Sequence, residues 1–97
     1  MFRHVVMFKW ADGVGDDDIA AVSAGLDRLP GAIADIRDYR HGSDVRVNDD
    51  NFDYVVVADF DAADGYLVYR DHPAHQQVLR ELLAGRVAAR AAVQYTF

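Results

Sequence analysis

Tyr69, His72, Pro73 and His75 form a Tyr-x-x-His-Pro-x-His run that brings groups able to move a proton close together in the chain. Histidine is the side chain best matched to proton transfer near neutral pH, and a buried tyrosine hydroxyl can donate a hydrogen bond to a developing enolate. His75 follows a proline suited to open a helical segment, so it lies in the first turn, where the macrodipole disfavours a positive ring and keeps the base neutral. Tyr69 and His75 can together enolise or cyclise a carbonyl substrate. The alternative is that His75 is a hydrogen-bonded structural residue and Tyr69 a packing group. His72, directly before Pro73, suits a cap or a turn-stabilising role. His4, in mid-strand, is either a satisfied core histidine or a polar group lining the same space.

Other chemistries find little support. His72 and His75 lie three apart across a proline with no carboxylate at a ligand-like spacing, so no metal is expected, and no cofactor. Asp16 to Asp18 and Asp49-Asp50 read as caps and solvated turns rather than cation sites. Gly13 and Gly15 lack the lysine and flanking elements of a phosphate loop, and no serine has nucleophile-elbow context. There is no cysteine, which excludes disulfides, thiolate nucleophiles and zinc-thiolate sites. A net charge of −6 and a pI near 4.9 disfavour phosphate backbones and anionic lipid, so neither nucleic acid nor membrane is an expected partner. The short apolar run after His4 is too brief for a signal-peptide core or a membrane span, and a soluble, cytoplasmic protein is expected.

These residues must be held by a small frame. Ninety-seven residues suit one domain over 1–97, and 52% hydrophobic content supplies its core. Phe2 to Trp10 reads as a strand with His4, Val6, Phe8 and Trp10 on one face and Arg3, Val5, Met7 and Lys9 on the other. Asp16 to Asp18 can cap a helix carrying Ile19, Val22, Leu26 and Leu29 at helical spacing, ended by Pro30-Gly31. Ile33 to Val47 reads as a long exposed strand and Val47 to Asp53 as a turn. Phe52 to Phe60 is a strand in which Tyr54, Val56, Ala58 and Phe60 share a face. Asp61 or Asp64 can cap a second helix, broken near Asp71-His72 and resumed at Pro73, with Val78, Leu79, Leu82 and Leu83 inward and a stop near Gly85. Arg86 to Ala92 reads as linker or frayed helix, and Val93 to Phe97 as a terminal strand.

The order strand-helix-strand-strand-helix-strand is the split β-α-β arrangement, a ferredoxin-like α+β fold. If both helices cover one face of the sheet, the other is left bare with Val5, Met7, Val55 and Val57, and a second copy is the simplest cover. On the helix side, His4, Val6, Phe8, Tyr54 and Val56 would line a common space. Tyr39 and Arg37 are placed to close its mouth, the arginine offering an anion contact to a substrate carboxylate.

The opening strand Arg3-His4-Val5-Val6-Met7-Phe8-Lys9-Trp10, the strand Phe52 to Phe60, the run Tyr69-Arg70-Asp71-His72-Pro73-Ala74-His75 and the closing Tyr95-Thr96 together resemble the stress-responsive dimeric A/B barrel family. The resemblance implies a dimeric α+β barrel, with a cavity between each sheet and its own helices suited to a hydrophobic small molecule. A relative of the family is a plant polyketide cyclase that makes olivetolic acid by a cofactor-free aldol condensation. By similarity its working tyrosine and histidine match Tyr69 and His75, and a further pocket histidine matches His4. Where that enzyme orients its histidine with an aspartate, Gln94 stands here, and a neutral amide can fix a tautomer without raising imidazole basicity.

Overall fold

A computed structural model describes residues 1–97. Four strands, β1 (Phe2–Trp10), β2 (Asp38–Ser43), β3 (Tyr54–Phe60) and β4 (Val87–Thr96), form one antiparallel sheet in the order β2-β3-β1-β4. Helices α1 (Asp16–Asp27), α2 (Leu29–Ala32), α3 (Ala63–Asp71) and α4 (Pro73–Val78) complete the ferredoxin-like arrangement, and α4 runs directly into a π-turn over Leu79–Leu83.

The inner strands β1 and β3 pair from Phe2–Phe60 to Phe8–Tyr54, which sets Val6 against Val56 and Val5 against Val57. Period-two alternation then divides the sheet. Val6, Phe8, Val56, Ala58 and Phe60 pack under the helices with Val22, Leu26, Leu29 and Ile33, all buried. On the opposite face Met7 is 37% exposed and Val93 61%. Gly25 lets α1 approach the second helical arm: a Cβ there would stand 2.3 Å from the Leu82 side chain.

Several expectations need correction. The long strand expected over Ile33 to Val47 shrinks to β2, because Ile33 and Ile36 pack into the core instead and Val45 and Val47 lie exposed in a loop. That loop is tied at its base by the Asp44 amide, which donates to the Asp53 carbonyl, and by Asn51, which donates to the Asp44 carboxylate. Pro30 opens the short α2 rather than ending α1, as its missing N–H allows in a first turn. The cap of α1 is Gly15, whose amide donates to Asp18, and the cap of α3 is Ala62, with neither Asp61 nor Asp64 in that position.

The largest departure is β4. Ala88, Ala89, Arg90, Ala91 and Ala92 favour helix locally, yet the segment is strand from Val87 onward, paired with nearly the whole of β1 from Trp10–Val87 to Phe2–Thr96. A nine-residue central strand offers a full edge of backbone donors and acceptors, and satisfying them outweighs a propensity difference of a few tenths of a kcal/mol per residue.

Candidate functional site

The break between α3 and α4 builds the site. His72, forced into extended backbone by the proline after it (φ −63°, ψ 136°), caps α4 by accepting the Ala74 amide on Nδ1 at 3.0 Å. The end of α3 leaves carbonyls without helical partners, and two side chains of α4 reach back to the carbonyl of Arg70: His75 donates from Nδ1 at 3.0 Å, and Gln76 donates from Nε2 at 2.6 Å. Because a carbonyl can only accept, this bond puts the His75 proton on Nδ1 and leaves the Nε2 lone pair without a protein partner.

His75 stacks on the ring of Tyr69, with centroids 4.2 Å apart and planes at 32°. Tyr69 is buried, and its hydroxyl lies 2.9 Å from that of Tyr39. Burial pushes the Tyr69 phenol up to about 12 and the Tyr39 phenol further still. The His75 imidazole is held below its ordinary value, chiefly by burial and further by His72, against the opposing pull of the Arg70 carbonyl. A lowered value favours the neutral ring, and its main cause is burial.

Across the cavity, His4 is 4% exposed and lies against Tyr66, with ring centroids 4.7 Å apart. Gln94 donates to its Nδ1 at 3.0 Å, so its proton sits on Nε2. Burial lowers its pKa to about 4, helped by the charge of Arg90 and by His75. Two neutral imidazoles with opposite poles thus line one space: His75 has a free acceptor and His4 a free donor.

That space is a cavity of about 440 Å³ between the sheet and the second helical arm, lined mainly by apolar side chains of β1, β3, α1, α4, the π-turn and β4. A π-turn adds one residue to the helical ladder, here closed by the Ala84 amide on the Leu79 carbonyl at 2.8 Å, and turns both Leu79 and Leu83 toward the cavity.

Of the residues singled out from sequence, His4, Val6, Phe8, Val56, Tyr69 and His75 line the cavity together. Gln94 supports it from behind through His4 and does not touch His75, whose orientation comes from the Arg70 backbone. Tyr39 reaches it only through Tyr69. Tyr54 is buried outside it, its hydroxyl 2.7 Å from His41. Arg37 closes no mouth: it forms a two-pronged pair with Asp61 at 3.1 and 3.0 Å on the exposed surface and donates to the Ala34 carbonyl at 2.7 Å.

The residues that sequence reasoning missed are Tyr66, Arg70 and Arg90. Arg90 lies opposite Phe8 in the β1–β4 ladder, so alternation puts it on the helix side of the sheet. Reading 86–92 as linker removed the alternation that would have revealed it. Nowhere in the chain do three or more histidine, aspartate or glutamate side chains gather as metal ligands would. No helix is long and apolar enough to cross a membrane.

Comparison with known proteins agrees with this architecture. The chain is 37% identical over 79 residues to an uncharacterized protein of Streptomyces coelicolor, covering 78% of this chain and 80% of that protein. A dimeric ferredoxin-like protein of unknown function from Thermobifida fusca superposes with a TM-score of 0.92 at 38% identity, over 99% of this chain and 90% of that one. Hydroxynitrile lyase from Passiflora edulis has the same fold, with a TM-score of 0.83 at 16% identity, over 99% of this chain and 95% of that one. The stress responsive A/B barrel domain matches residues 2–97, and the chain belongs to that family.

Proposed function

We propose that residues 1–97 act as one unit that pairs with a second copy through the sheet face opposite the helices, and that each subunit takes a small, mainly apolar molecule into its cavity. The observation that carries this reading is the cavity itself. Well-packed interiors leave few voids larger than a water, whereas about 440 Å³ stays open beside His4, Tyr69 and His75, within the size range of small-molecule sites. Pairing is supported by the bare face, where Met7, Val93, Tyr95 and Phe97 are 37 to 61% exposed, and by the dimeric relative from Thermobifida fusca.

Sedimentation equilibrium at micromolar concentration tests the dimer: the wild-type chain should run as two copies, and Met7→Glu with Val93→Glu should run as one or unfold. A stable wild-type monomer overturns the pairing. Calorimetric titration with 2-naphthamide tests the cavity. Binding that is lost on Leu79→Trp is expected, and no heat with the wild-type protein removes the ligand-binding reading.

A second reading, cofactor-independent catalysis on a carbonyl compound, is favoured by the free Nε2 lone pair of His75 beside the Tyr69 hydroxyl. In it, Nε2 takes the proton from the carbon next to a carbonyl, and the C–H electron pair moves to form the enolate. Tyr39 donates to the Tyr69 oxygen, leaving the Tyr69 proton for the enolate oxygen, and the protonated His75 returns its proton either to the same carbon, which is exchange, or, where that carbon bonds to a second carbonyl carbon, to the alkoxide oxygen so formed. The hydroxynitrile lyase of the same fold is a lyase precedent for the architecture. Exchange of the α-protons of propiophenone in D₂O, followed by NMR, should be accelerated by the wild-type chain and not by His75→Gln. Binding without any exchange sinks the catalytic reading and spares the first.

A further inference from the structure

Sixteen acidic residues against ten basic ones give the chain a net charge of −6, yet the cavity wall contains two arginines, two neutral histidines and no carboxylate at all. The two arginines differ. Arg70 is held by Asp71 in a two-pronged pair at 2.9 and 3.1 Å. The Arg90 side chain, exposed at the cavity rim, makes no ion pair and no hydrogen bond to protein, and it lies next to the buried Phe8 on the sheet face that forms the cavity floor. Arg3, Arg37, Arg40, Arg46 and Arg86 all have aspartate partners, and of the arginine side chains without one, Arg28, Arg80 and Arg90, only Arg90 borders this cavity.

From this arrangement we propose that the cavity's ligand is a monoanion, a carboxylate on an apolar skeleton, with the carboxylate held by Arg90 and the skeleton lying between the sheet and the π-turn. A planar guanidinium presents paired donors that match a carboxylate two-pronged, and one such group suits a single negative charge. The Nε2–H of His4 is a neutral donor on the same wall, and no acid stands there to compete. The anion contact that sequence reasoning assigned to Arg37, just ahead of β2, thus falls to a residue of β4. This inference rests on the ligand-binding reading above and deepens it.

The test compares 2-naphthoate with 2-naphthamide, which share shape and differ in charge. In low salt the wild-type protein should bind naphthoate about five- to tenfold tighter, as expected for a charge-assisted bond at an exposed arginine. Arg90→Gln should abolish that preference, bringing the ratio of the two affinities to about one. Arg90→Lys should keep part of it, and Arg80→Gln, on an exposed helical position outside the cavity, should keep all of it. The overall negative charge of the protein repels anions, so a naphthoate preference cannot come from the bulk surface. Equal binding of both compounds, or a preference that survives Arg90→Gln, overturns the carboxylate assignment and leaves the cavity reading intact. If neither compound binds, both fall.

Discussion

Two histidine clusters lie on the same side of the sheet, and they contain nearly the same chemistry. His41 stands between the Tyr54 hydroxyl, 2.7 Å from Nδ1, and Asp27, 2.6 Å from Nε2. His75 stands against Tyr69 but bonds only through Nδ1, to a backbone carbonyl. Tyrosine, histidine and carboxylate in line look more like a catalytic relay than tyrosine stacked on histidine. The His41 relay is nonetheless closed at both ends, and its side chain is 8% exposed with no cavity beside its free edge. A reactive group needs a spare lone pair and room for a second molecule, and only the His75 cluster has both. The His41 chain links α1, β2 and β3, which is a structural task.

The sharpest way to break this contrast is to delete each histidine. His41→Ala removes two hydrogen bonds, one of them to the buried Tyr54 hydroxyl, and should cost about 2 kcal/mol in urea unfolding. His75→Ala should cost about 1 kcal/mol or less, since Gln76 still satisfies the Arg70 carbonyl. A reversed order would mean that His75 is the structural residue.

Acid should expose the cavity before it touches the ion pairs. His4 titrates at about 4 in the folded chain against 6.5 unfolded, so the unfolded state takes up a proton that the folded state refuses. Stability is therefore complete above pH 6.5 and falls between 6.5 and about 4. The loss should be about 2 kcal/mol, less than full conversion of the shift because the contributing Arg90 charge is solvent-screened. His4→Gln should flatten that part of a stability-against-pH curve. The contribution of Asp59 should go only at lower pH, because the Arg3 guanidinium holds its carboxyl below the usual range.

Tyr39→Phe should cost about 1 kcal/mol by removing the hydroxyl pair with Tyr69. A change of several kcal/mol would show Tyr39 to be a core element in its own right. The smallest signal is spectroscopic: at neutral pH the imidazole ¹⁵N shifts should place the His75 proton on Nδ1 and the His4 proton on Nε2. The opposite tautomers would undo the assignment of acceptor to one ring and donor to the other.

Much of this was legible beforehand. The β1 and β3 faces follow from alternation, the helix break from Pro73, and the capping role of His72 from its place before that proline. Six residues of the cavity wall could be named from alternation and the Tyr-x-x-His-Pro-x-His run. The errors share a cause, since each lies where a local signal met a stronger distant one. Arg37 looked free because Asp61, 24 residues on, is invisible to local reading. The Ala-rich stretch of β4 looked helical because the open edge of β1, more than 80 residues earlier in the chain, cannot be seen from its own composition.

By itself the amino-acid order determined β1, β3, the first helix and the helix break at Pro73, the two apolar faces of the central strands and the presence of a Tyr69–His75 pair, because these depend on spacing within one or two turns of chain. Only the tertiary structure decided which lone pair is free, where the open volume lies and that Arg90 rather than Arg37 faces it. Hydrogen-bond satisfaction and empty space are properties of groups far apart in sequence, and they come into being only when the sheet and helices close on one another.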